Sequence, residues 1–363
     1  MNEVRDNVKL ALPFTAGVAS FSCLSLSPNN TYLAAAISLI LLAISIPHIL
    51  HALKIEKSIG LWEILIVCFI TGFFINSSSH LASLTDTNWI RNYAIGLGER
   101  MQLWIDNIPF ESERTNAIIK ALLTGNRSDI TNEITEAFRK SGASHILALS
   151  GLHLGIIYLI INKLTTIVGN SPQGKIIRSL LCIATCTTYT FATGANASIF
   201  RAMLFIIVRE TAILMHRPTD LKTIVISCLT IHLILDPSDI TSIGFQLSYA
   251  AIASIAWIYP WLSGLWGDTE DGKTIMKRIW NSASLSISCQ LTTGPLAYWY
   301  FGTFPQYFIL TNLIALPLTG IIIPLALLTA TLHSIGLCPD LLVQSTEIMV
   351  NALCSTLTII SNI

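Results

Sequence analysis

Polar side chains that could do chemistry gather at the start of one long apolar stretch, residues 145–168. His145, Ser150 and His153 stand there, and an unpartnered polar group inside hydrocarbon costs several kcal/mol. We therefore expect these side chains to face protein, water or a substrate. On one continuous helix, at about 100° per residue, the two histidines lie about 80° apart, so both could line one cavity. Hydrogen bonding to neighbouring helices is the alternative interpretation.

Ser150 and His153 also admit a catalytic interpretation. Three residues apart on one helix, the two side chains can be neighbours, as a serine nucleophile and its general base would be. The sequence identifies neither an orienting acid nor oxyanion donors for them. An intramembrane hydrolase that uses this pair is therefore one alternative function. A small-solute transporter, which also places polar groups inside helices, is another.

A second apolar stretch carries permanent charges. Arg201 lies near its beginning, and Arg209 and Glu210 lie deeper in the same run. Charged side chains at such depth usually face a protein interior or an aqueous cavity. Arg201 suits a phosphate because its guanidinium stays charged and presents several donors. Arg209 and Glu210 are nearer a basic loop, and we expect them to pair with each other or to extend toward that loop.

Polar donors alternate with aromatic rings at the start of a third apolar stretch. Gln246 and Ser248 stand beside Phe245 and Tyr249. This pattern suits a nucleic-acid strand whose bases stack on the rings, at about 1 to 3 kcal/mol per base, while the polar groups hold its phosphates. Aromatic residues at a helix end are also typical anchors at a membrane interface, and the same choice applies to residues 298–301.

Four glycines are expected to shape the backbone around these candidates. Gly151 and Gly155 form a small-x-x-x-small pair, which is typical of closely packed helices. Gly125 follows a predicted amphipathic helix, and Gly142 ends another that begins near Thr131, where a cap is expected. The apolar side of the first of these helices consists of Ile118, Ile119, Leu122 and Leu123.

Composition predicts a chain that needs lipid as part of its solvent. Hydrophobic residues make up 52% and charged residues 12%, with a mean hydropathy of +0.64. Continuous apolar runs without strict alternation favour helices over a closed barrel. We predict an all-α, polytopic integral membrane protein with about 10 or 11 transmembrane helices. The predicted spans are residues 10–26, 32–50, 61–75, 145–168, 176–192, 199–214, 223–235, 243–261, 279–300, 308–336 and 341–360. Two prolines, Pro317 and Pro324, predict that the tenth of these is kinked or split.

Several classes of function find no support in the sequence. The 21 basic and 21 acidic residues balance, so any binding of nucleic acid must rest on local sites. The eight cysteines form no C-x-x-C pair, which argues against a zinc site or a disulfide framework. No phosphate-binding G-x-x-x-x-G-K-S/T loop occurs. We expect no metal, no cofactor and no nuclease or ATPase activity in this chain.

Lysine and arginine in alternate short connections orient the chain. Basic connections fall near residues 5–9, 54–57, 175–178, 217–222 and 273–278, whereas those at 27–30, 194–196, 236–242 and 302–306 contain neither residue. The amino terminus is therefore predicted to be cytoplasmic, and the long polar stretch 77–144 to lie outside. Trp89, Ile90, Tyr93, Leu97 and Trp104 recur there at helical spacing, which indicates an amphipathic helix at the outer interface.

Two segments resemble the hallmark of the ComEC-type competence family: residues 121–127 (ALLTGNR) and 138–155 (FRKSGASHILALSGLHLG). The family pattern has G-D-R where this chain has Gly125, Asn126 and Arg127. Further segments resemble family motifs in the family's order: residues 198–203 (SIFRAM), 236–237 (DP), 244–248 (GFQLS) and 312–318 (NLIALPL). Together these ordered matches are far more specific than any one of them.

The resemblance implies a channel that passes single-stranded DNA across the bacterial inner membrane during natural transformation. It also implies an outer DNA receptor, a nuclease and a cytoplasmic helicase-like motor as partners. The expected organisation is amino-terminal membrane helices (1–80), an outer-face amphipathic segment (81–144) and a competence-type channel domain (145–363), without the soluble OB-type and metallo-β-lactamase-like domains of many members. Arg127, Arg201 and Gln246, with Ser248, are expected to contact DNA near the outer mouth. His145, Ser150 and His153 are expected to shape the entry.

Overall fold

A computed structural model describes residues 2–23, scattered positions between 34 and 76, and residues 88–169, 171–217, 219–266, 275–302 and 307–362. These residues contain helices and no strand, which confirms the all-α prediction for the described part of the chain. The predicted spans 32–50 and 61–75 lie outside the described residues except at those scattered positions. The helices are α1 (Asn2–Cys23), α2 (Asn88–Asp106), α3 (Glu113–Thr124), α4 (Asn132–Lys140), α5 (Ser144–Leu147), α6 (Gly151–Leu164), α7 (Pro172–Ala192), α8 (Ala197–Leu214), α9 (Leu221–Leu235), α10 (Ile243–Trp257), α11 (Tyr259–Gly264), α12 (Ile275–Phe301), α13 (Phe308–Ser334) and α14 (Asp340–Ser361), with 3₁₀ turns at Thr165–Val168 and Pro237–Thr241.

Within the described residues, α13 is the helix that is long and apolar enough by itself to cross a membrane. Helices of this kind also occur in the cores of soluble proteins, so length and composition alone do not establish a span. Pro317 and Pro324 lie inside α13, which nevertheless runs as one helix. Of the two predicted forms of this segment, the split is therefore wrong, and the kink stays a prediction.

Two compact units divide the chain. One contains residues 1–87 and 218–249, and the other contains residues 88–217 and 250–363. The division into amino-terminal membrane helices (1–80), an amphipathic segment (81–144) and a channel domain (145–363) is a functional division, and it stays a prediction.

In the first unit, α1 crosses the helical residues 68–73 at two glycines. A Cβ built on Gly17 would lie 2.0 Å from the carbonyl oxygen of Phe69, and one built on Gly72 would lie 2.1 Å from the carbonyl oxygen of Phe14. Because no side chain fits at either position, the two backbones touch directly. The amide of Asn76 reinforces the crossing by donating to the carbonyl oxygen of Val18 at 2.8 Å.

In the second unit, α3 is buried from Ala117 to its end. Its predicted apolar residues are at most 1% exposed, and Ala117 through Thr124 are all buried, Lys120 included. Packing of α2, α13 and α14 around α3 explains this. The sequence predicted an amphipathic helix with one buried side. The structure buries its polar side as well, because tertiary contacts cover it.

The predicted cap and end of α4 are found. Thr131 is the N-cap residue, and its side chain accepts from the backbone N–H of Ile134. The helix ends before Gly142, which adopts a left-handed conformation with φ 81°. The next amide, of Ala143, donates back to the carbonyl of Phe138 at 2.8 Å. Such a closure satisfies carbonyls that a helix end leaves without partners.

Helices α6 and α8 run in parallel, side by side. A Cβ on Gly151 would lie 3.2 Å from Cβ of Ala202, and seven residues further along α6 the hydroxyl of Tyr158 donates to Glu210 at 2.5 Å. Advancing along one helix thus advances along the other, with α7 packed on both. Close packing occurs at Gly151, whereas a Cβ on Gly155 would meet nothing within 4 Å.

Candidate functional site

The loop after α3 carries Arg127 on the surface of the protein. Gly125, with φ 77°, turns the chain, and its amide donates to the carbonyl of Ala121 at 3.0 Å. Asn126 fixes the next turn: its Oδ1 accepts from the amide of Ser128 at 2.9 Å, and its Nδ2 donates to Gln102 of α2 at 3.0 Å. The backbone around Arg127 is therefore held on both sides.

Lys120 anchors the far end of this loop. Its Nζ lies 2.6 Å from an oxygen of Asp106 and 2.7 Å from an oxygen of Asp129. Burial opposes the charged form of Lys120, but the hydrogen bonds to the two carboxylates outweigh it and raise the pKa of the lysine. The hydrogen bond from Lys120 also lowers the pKa of Asp129. Two carboxylates from different segments thus meet one ammonium group.

Arg127 itself is exposed. Among the described residues, no carboxylate lies within ion-pairing distance of its guanidinium. A guanidinium that is always charged, exposed and mounted on a fixed loop is suited to bidentate binding of phosphate.

Acid should release this loop. The lowered pKa of Asp129 means that its contribution to stability is full above the unfolded-state pKa of about 4 and is lost as pH falls through the lower folded-state value. We expect the protection of the amides of residues 125–129 against hydrogen exchange, relative to an unfolded chain at the same pH, to fall below about pH 4 in the parent. In Asp129→Asn this protection should already be low at neutral pH, and it should change little on acidification. Glu133→Gln, on the neighbouring helix, is the control and should behave like the parent. Equal pH profiles for parent and Asp129→Asn would contradict this account.

The segment that contains His145 and Ser150 lies beside this loop. A Cβ on Gly125 would lie 3.3 Å from Cβ of Leu149. The chain does not continue as one helix from His145, as predicted, because α5 ends at Leu147 and α6 begins at Gly151. His145 is exposed, and its Nδ1 lies 3.1 Å from the carbonyl oxygen of Gly142. The angle of 80° between the histidines therefore does not apply.

Ser150 and His153 contact each other as the cap of α6. Nδ1 of His153 lies 2.9 Å from Oγ of Ser150 and accepts from the backbone N–H of Ser150 at 3.1 Å. The histidine thus takes the role that a glutamate has in a capping box. An acceptor Nδ1 assigns the proton to Nε2, which is buried without a hydrogen-bond partner in the described structure. In the described part of the chain no carboxylate orients this imidazole, so the geometry gives the hydrolase interpretation no support.

Arg201 differs from Arg127 in its surroundings. It lies on α8 and is only 3% exposed, so protein encloses it in this conformation. Arg209 and Glu210 pair at 3.0 Å, which is one of the two arrangements that the sequence left open. The sequence did not predict the hydroxyl of Ser179, which also donates to Glu210, at 2.7 Å. The deeper charges therefore join α6, α7 and α8 through one buried carboxylate.

Gln246 and Ser248 lie in the first unit. The amide of Gln246 donates to the carbonyl oxygen of Ile240 at 3.1 Å, which ties α10 to the 3₁₀ turn before it. Phe245 and Tyr249 are buried and pack on each other with ring centroids 4.5 Å apart. In this conformation they are core residues, and neither interpretation offered for them, base stacking or interfacial anchoring, describes their position.

Sequence reasoning missed a histidine in the first unit. His232, 1% exposed, lies between the carboxylate of Asp239, 2.9 Å from Nε2, and the hydroxyl of Tyr249, 3.2 Å from Nδ1. The tyrosine hydroxyl also contacts the carbonyl oxygen of Cys228 at 3.2 Å. A histidine inside an apolar helix was the signal in the sequence, but its partners come from later segments.

A cavity of about 830 Å³ lies between α3, α4 and the end of α14. Acidic side chains outnumber basic ones on its walls, which disfavours a polyanion. The charged lining residues are Asp106, Glu113, Asp129, Glu133 and Glu136 against Arg114, Lys120 and Lys140. Arg127 is not among them, so the exposed arginine and the acidic cavity are separate features.

Comparison with known proteins gives one family and two relatives. A family model described as competence protein matches residues 122–363. The uncharacterized protein YcaI of Escherichia coli (strain K12) is 26% identical over 230 residues, 61% of this chain and 30% of that protein. ComE operon protein 3 of Bacillus subtilis (strain 168) is 29% identical over 141 residues, 39% of this chain and 18% of that protein. The chain thus spans less than a third of the length of these relatives. No solved structure gives a significant match.

Proposed function

Because the chain belongs to the competence protein family, we propose that it takes part in DNA uptake. Its role would be that of a multi-pass channel for single-stranded DNA in the inner, cytoplasmic membrane during natural transformation. The observation that carries the proposal is Arg127, an exposed arginine without an ion-pair partner among the described residues. It stands on a braced loop within the part of the chain that the family model matches.

The surface of the described helices supports a bilayer location. Large apolar side chains are exposed on most of them, and a soluble protein rarely exposes a large apolar surface. Examples from α7, α13 and α14 are Ile176, Leu180, Ile321, Leu328, Leu341, Ile348 and Ile359. Lipid would cover these side chains. On this proposal several helices besides α13 cross the membrane, with the amino terminus in the cytoplasm.

Different roles follow for the other candidates. His145 is exposed close to the Arg127 loop, so it is assigned to the entry, whereas Ser150 and His153 hold the start of α6 in place. Arg201 is enclosed in this conformation, and DNA would reach it only after the surrounding helices separate. Gln246 and Ser248 are half-buried in the first unit, and both are retained as proposed DNA contacts.

The partners are proposed from the family resemblance alone. An outer receptor would deliver DNA, a nuclease would leave one strand, and a cytoplasmic helicase-like motor would supply the driving force. The chain spans less than a third of the relatives' length, so uptake by the whole apparatus need not be reproduced by this chain alone.

Arg127→Ala should weaken the binding of single-stranded DNA by the full chain in detergent or vesicles. Loss of one charge-assisted phosphate contact, at about 1.5 to 3 kcal/mol, corresponds to about a tenfold or larger rise in Kd. The dependence of log K on log salt should become less steep by about 0.7, since one phosphate contact is lost. Binding of labelled oligonucleotide at several salt concentrations measures both quantities, and uptake of labelled DNA by cells should fall in parallel.

Arg139→Ala is the matched control. Arg139 is also an exposed arginine of this region, but it already pairs with Glu136 at 2.8 Å. It should bind DNA as the parent does. If the two folded variants bind single-stranded DNA with the same affinity, Arg127 is not a DNA contact. The proposal then loses its main support.

A further inference from the structure

Positive charge in the second unit gathers at one end of the bundle formed by α6, α7 and α8. Residues 141–217 contain a single acidic residue, Glu210, against six lysines and arginines. In residues 88–140, by contrast, seven acidic residues balance seven basic ones. Five of the six cations lie toward the helix ends that point away from the Arg127 loop. We call these five residues the basic end: Lys163, Lys175, Arg178, Arg209 and Arg217.

The contacts of Glu210 show that these three helix ends meet. Its carboxylate joins Tyr158 of α6 and Ser179 of α7 to α8. Lys163 follows Tyr158 by five residues, and Lys175 precedes Ser179 by four on α7, which runs the opposite way. At 1.5 Å per residue, both positions are displaced from the carboxylate by about 6 to 8 Å in the same direction. The residues of α8 that follow Glu210 continue in that direction as well.

Most side chains of the basic end are available to a ligand. Lys163, Lys175 and Arg217 are exposed and Arg178 is half-buried. In the described part of the chain, no carboxylate lies within ion-pairing distance of these four. Arg209 is 45% exposed, and its guanidinium lies over the ring of Tyr158, 5.5 Å from the centroid. One cation is thus held in a fixed position among four mobile ones.

The N-terminus of α7 adds to the positive potential of the basic end. Ser171 is the N-cap residue, and its hydroxyl accepts from the amide of Gly174 at 3.0 Å. Lys175 follows in the first turn. A helix N-terminus carries roughly half a positive charge and favours anions. Because Glu210 is only 4% exposed, it offsets this potential little at the surface. The basic end is therefore complementary to a polyanion.

The distribution of cations favours a nucleic-acid strand over lipid headgroups. Headgroups surround a membrane protein, so cations that serve them are expected at each connection on that face. The start of α13 is bonded to the carbonyl of Ser141, before α5, so the end of α13 lies on the same face as the basic end. The connection from α13 to α14, residues 335–339, has no lysine or arginine, and Asp340 follows it. Elsewhere on this face, Lys277 and Arg278 begin α12. The cations are thus concentrated on one side, which a strand could follow.

We propose that the basic end binds the phosphate backbone of single-stranded DNA where the strand leaves the protein on the cytoplasmic side. The inference rests on the proposed function and adds to it a second DNA contact, at the end opposite Arg127. A positive exit behind a charge-balanced outer segment would favour inward movement of a polyanion.

The experiment uses the full chain in nanodiscs of phosphatidylcholine, which expose both faces and carry no net lipid charge. Binding of a labelled single-stranded oligonucleotide is measured at several salt concentrations. Lys175→Gln combined with Arg178→Gln should raise Kd about tenfold or more. The dependence of log K on log salt should become less steep by about 1.4, which is 0.7 for each lost phosphate contact. Bound oligonucleotide should also slow the reaction of Lys163 and Lys175 with an amine reagent, followed by mass spectrometry.

Two double variants are the controls. Lys175→Arg with Arg178→Lys keeps both charges and should bind as the parent does. Arg139→Gln with Lys140→Gln removes the same charge from α4, and it should change neither the affinity nor the salt dependence.

Three results would overturn the proposal. If phosphatidylglycerol added to the nanodiscs protects Lys163 and Lys175 and the oligonucleotide adds no protection, the basic end is a lipid surface. If Arg127→Ala weakens binding but the Lys175 and Arg178 replacement does not, the proposed function stands and the basic end is not a DNA contact. If the parent does not bind the oligonucleotide, the proposed function fails and the exit site fails with it.

Discussion

Alanine at Gly72 is expected to lower the free energy of unfolding by about 3 kcal/mol, the upper part of the range for an overpacked core. The new Cβ would lie 2.1 Å from the carbonyl oxygen of Phe14, and real contacts of this kind are longer by more than 1 Å. The two helices must separate, which disturbs the edge-to-face contact between Phe21 and Phe73, now 5.2 Å apart. Gly17→Ala should act in the same way, because its Cβ would meet the carbonyl of Phe69.

Thermal unfolding of the full chain in detergent, together with the amount of protein recovered from membranes, measures this effect. Gly320→Ala is a suitable control, since Gly320 also lies inside an apolar helix but a Cβ there would meet nothing within 4 Å. That variant should be neutral or slightly more stable, because alanine favours helix over glycine by about 1 kcal/mol. Equal stability of Gly72→Ala and Gly320→Ala would show that the two backbones are not in contact.

Removal of the Glu210 carboxylate is expected to cost about 3 kcal/mol, because two hydroxyl donors lose their acceptor. Tyr158 donates at 2.5 Å and Ser179 at 2.7 Å. Arg209 loses an ion-pair partner as well, but its side chain is 45% exposed and water can compensate. Because the carboxylate joins three helices, Glu210→Ala should loosen all of them. Glu210→Gln keeps one acceptor oxygen and should lose about half as much.

Unfolding of Glu210→Ala, Glu210→Gln and Glu136→Ala in the same detergent tests this order. Glu136 is an exposed partner of Arg139 on α4, with a side chain 50% accessible, and its removal should leave stability unchanged within error. Combining Glu210→Ala with Tyr158→Phe should cost less than the sum of the two single changes, since both remove the same hydrogen bond. Full additivity would mean that the two side chains do not interact.

Features that depend on near neighbours in the chain were predictable. The N-cap at Thr131, the end of α4 at Gly142 and the pairing of Arg209 with Glu210 all involve residues close in sequence. Such features follow from local hydrogen bonding and helix geometry, which the spacing of residue types reveals.

Features that depend on distant segments were not predictable. The crossing of Gly17 and Gly72 joins residues 55 positions apart, and Tyr158 meets Glu210 across 52. The break before α6 was missed for a different reason: the apolar run continues through residues 146–149, and His153 replaces the glutamate that usually marks a capping box. The sequence assigned Arg127 and Arg201 the same role, and their opposite exposure follows from packing against distant segments.

The arrangement around Lys120 restricts the evolutionary paths open to this region. Loss of the lysine alone would leave Asp106 and Asp129, both within 2.7 Å of its present position, to repel each other, while loss of one aspartate leaves the buried lysine only half compensated. A replacement at one of these positions, which lie in α2, α3 and the following loop, would therefore favour compensating replacements at the other two. While these three residues are kept, the loop that holds Arg127 keeps its shape, even where its own side chains vary.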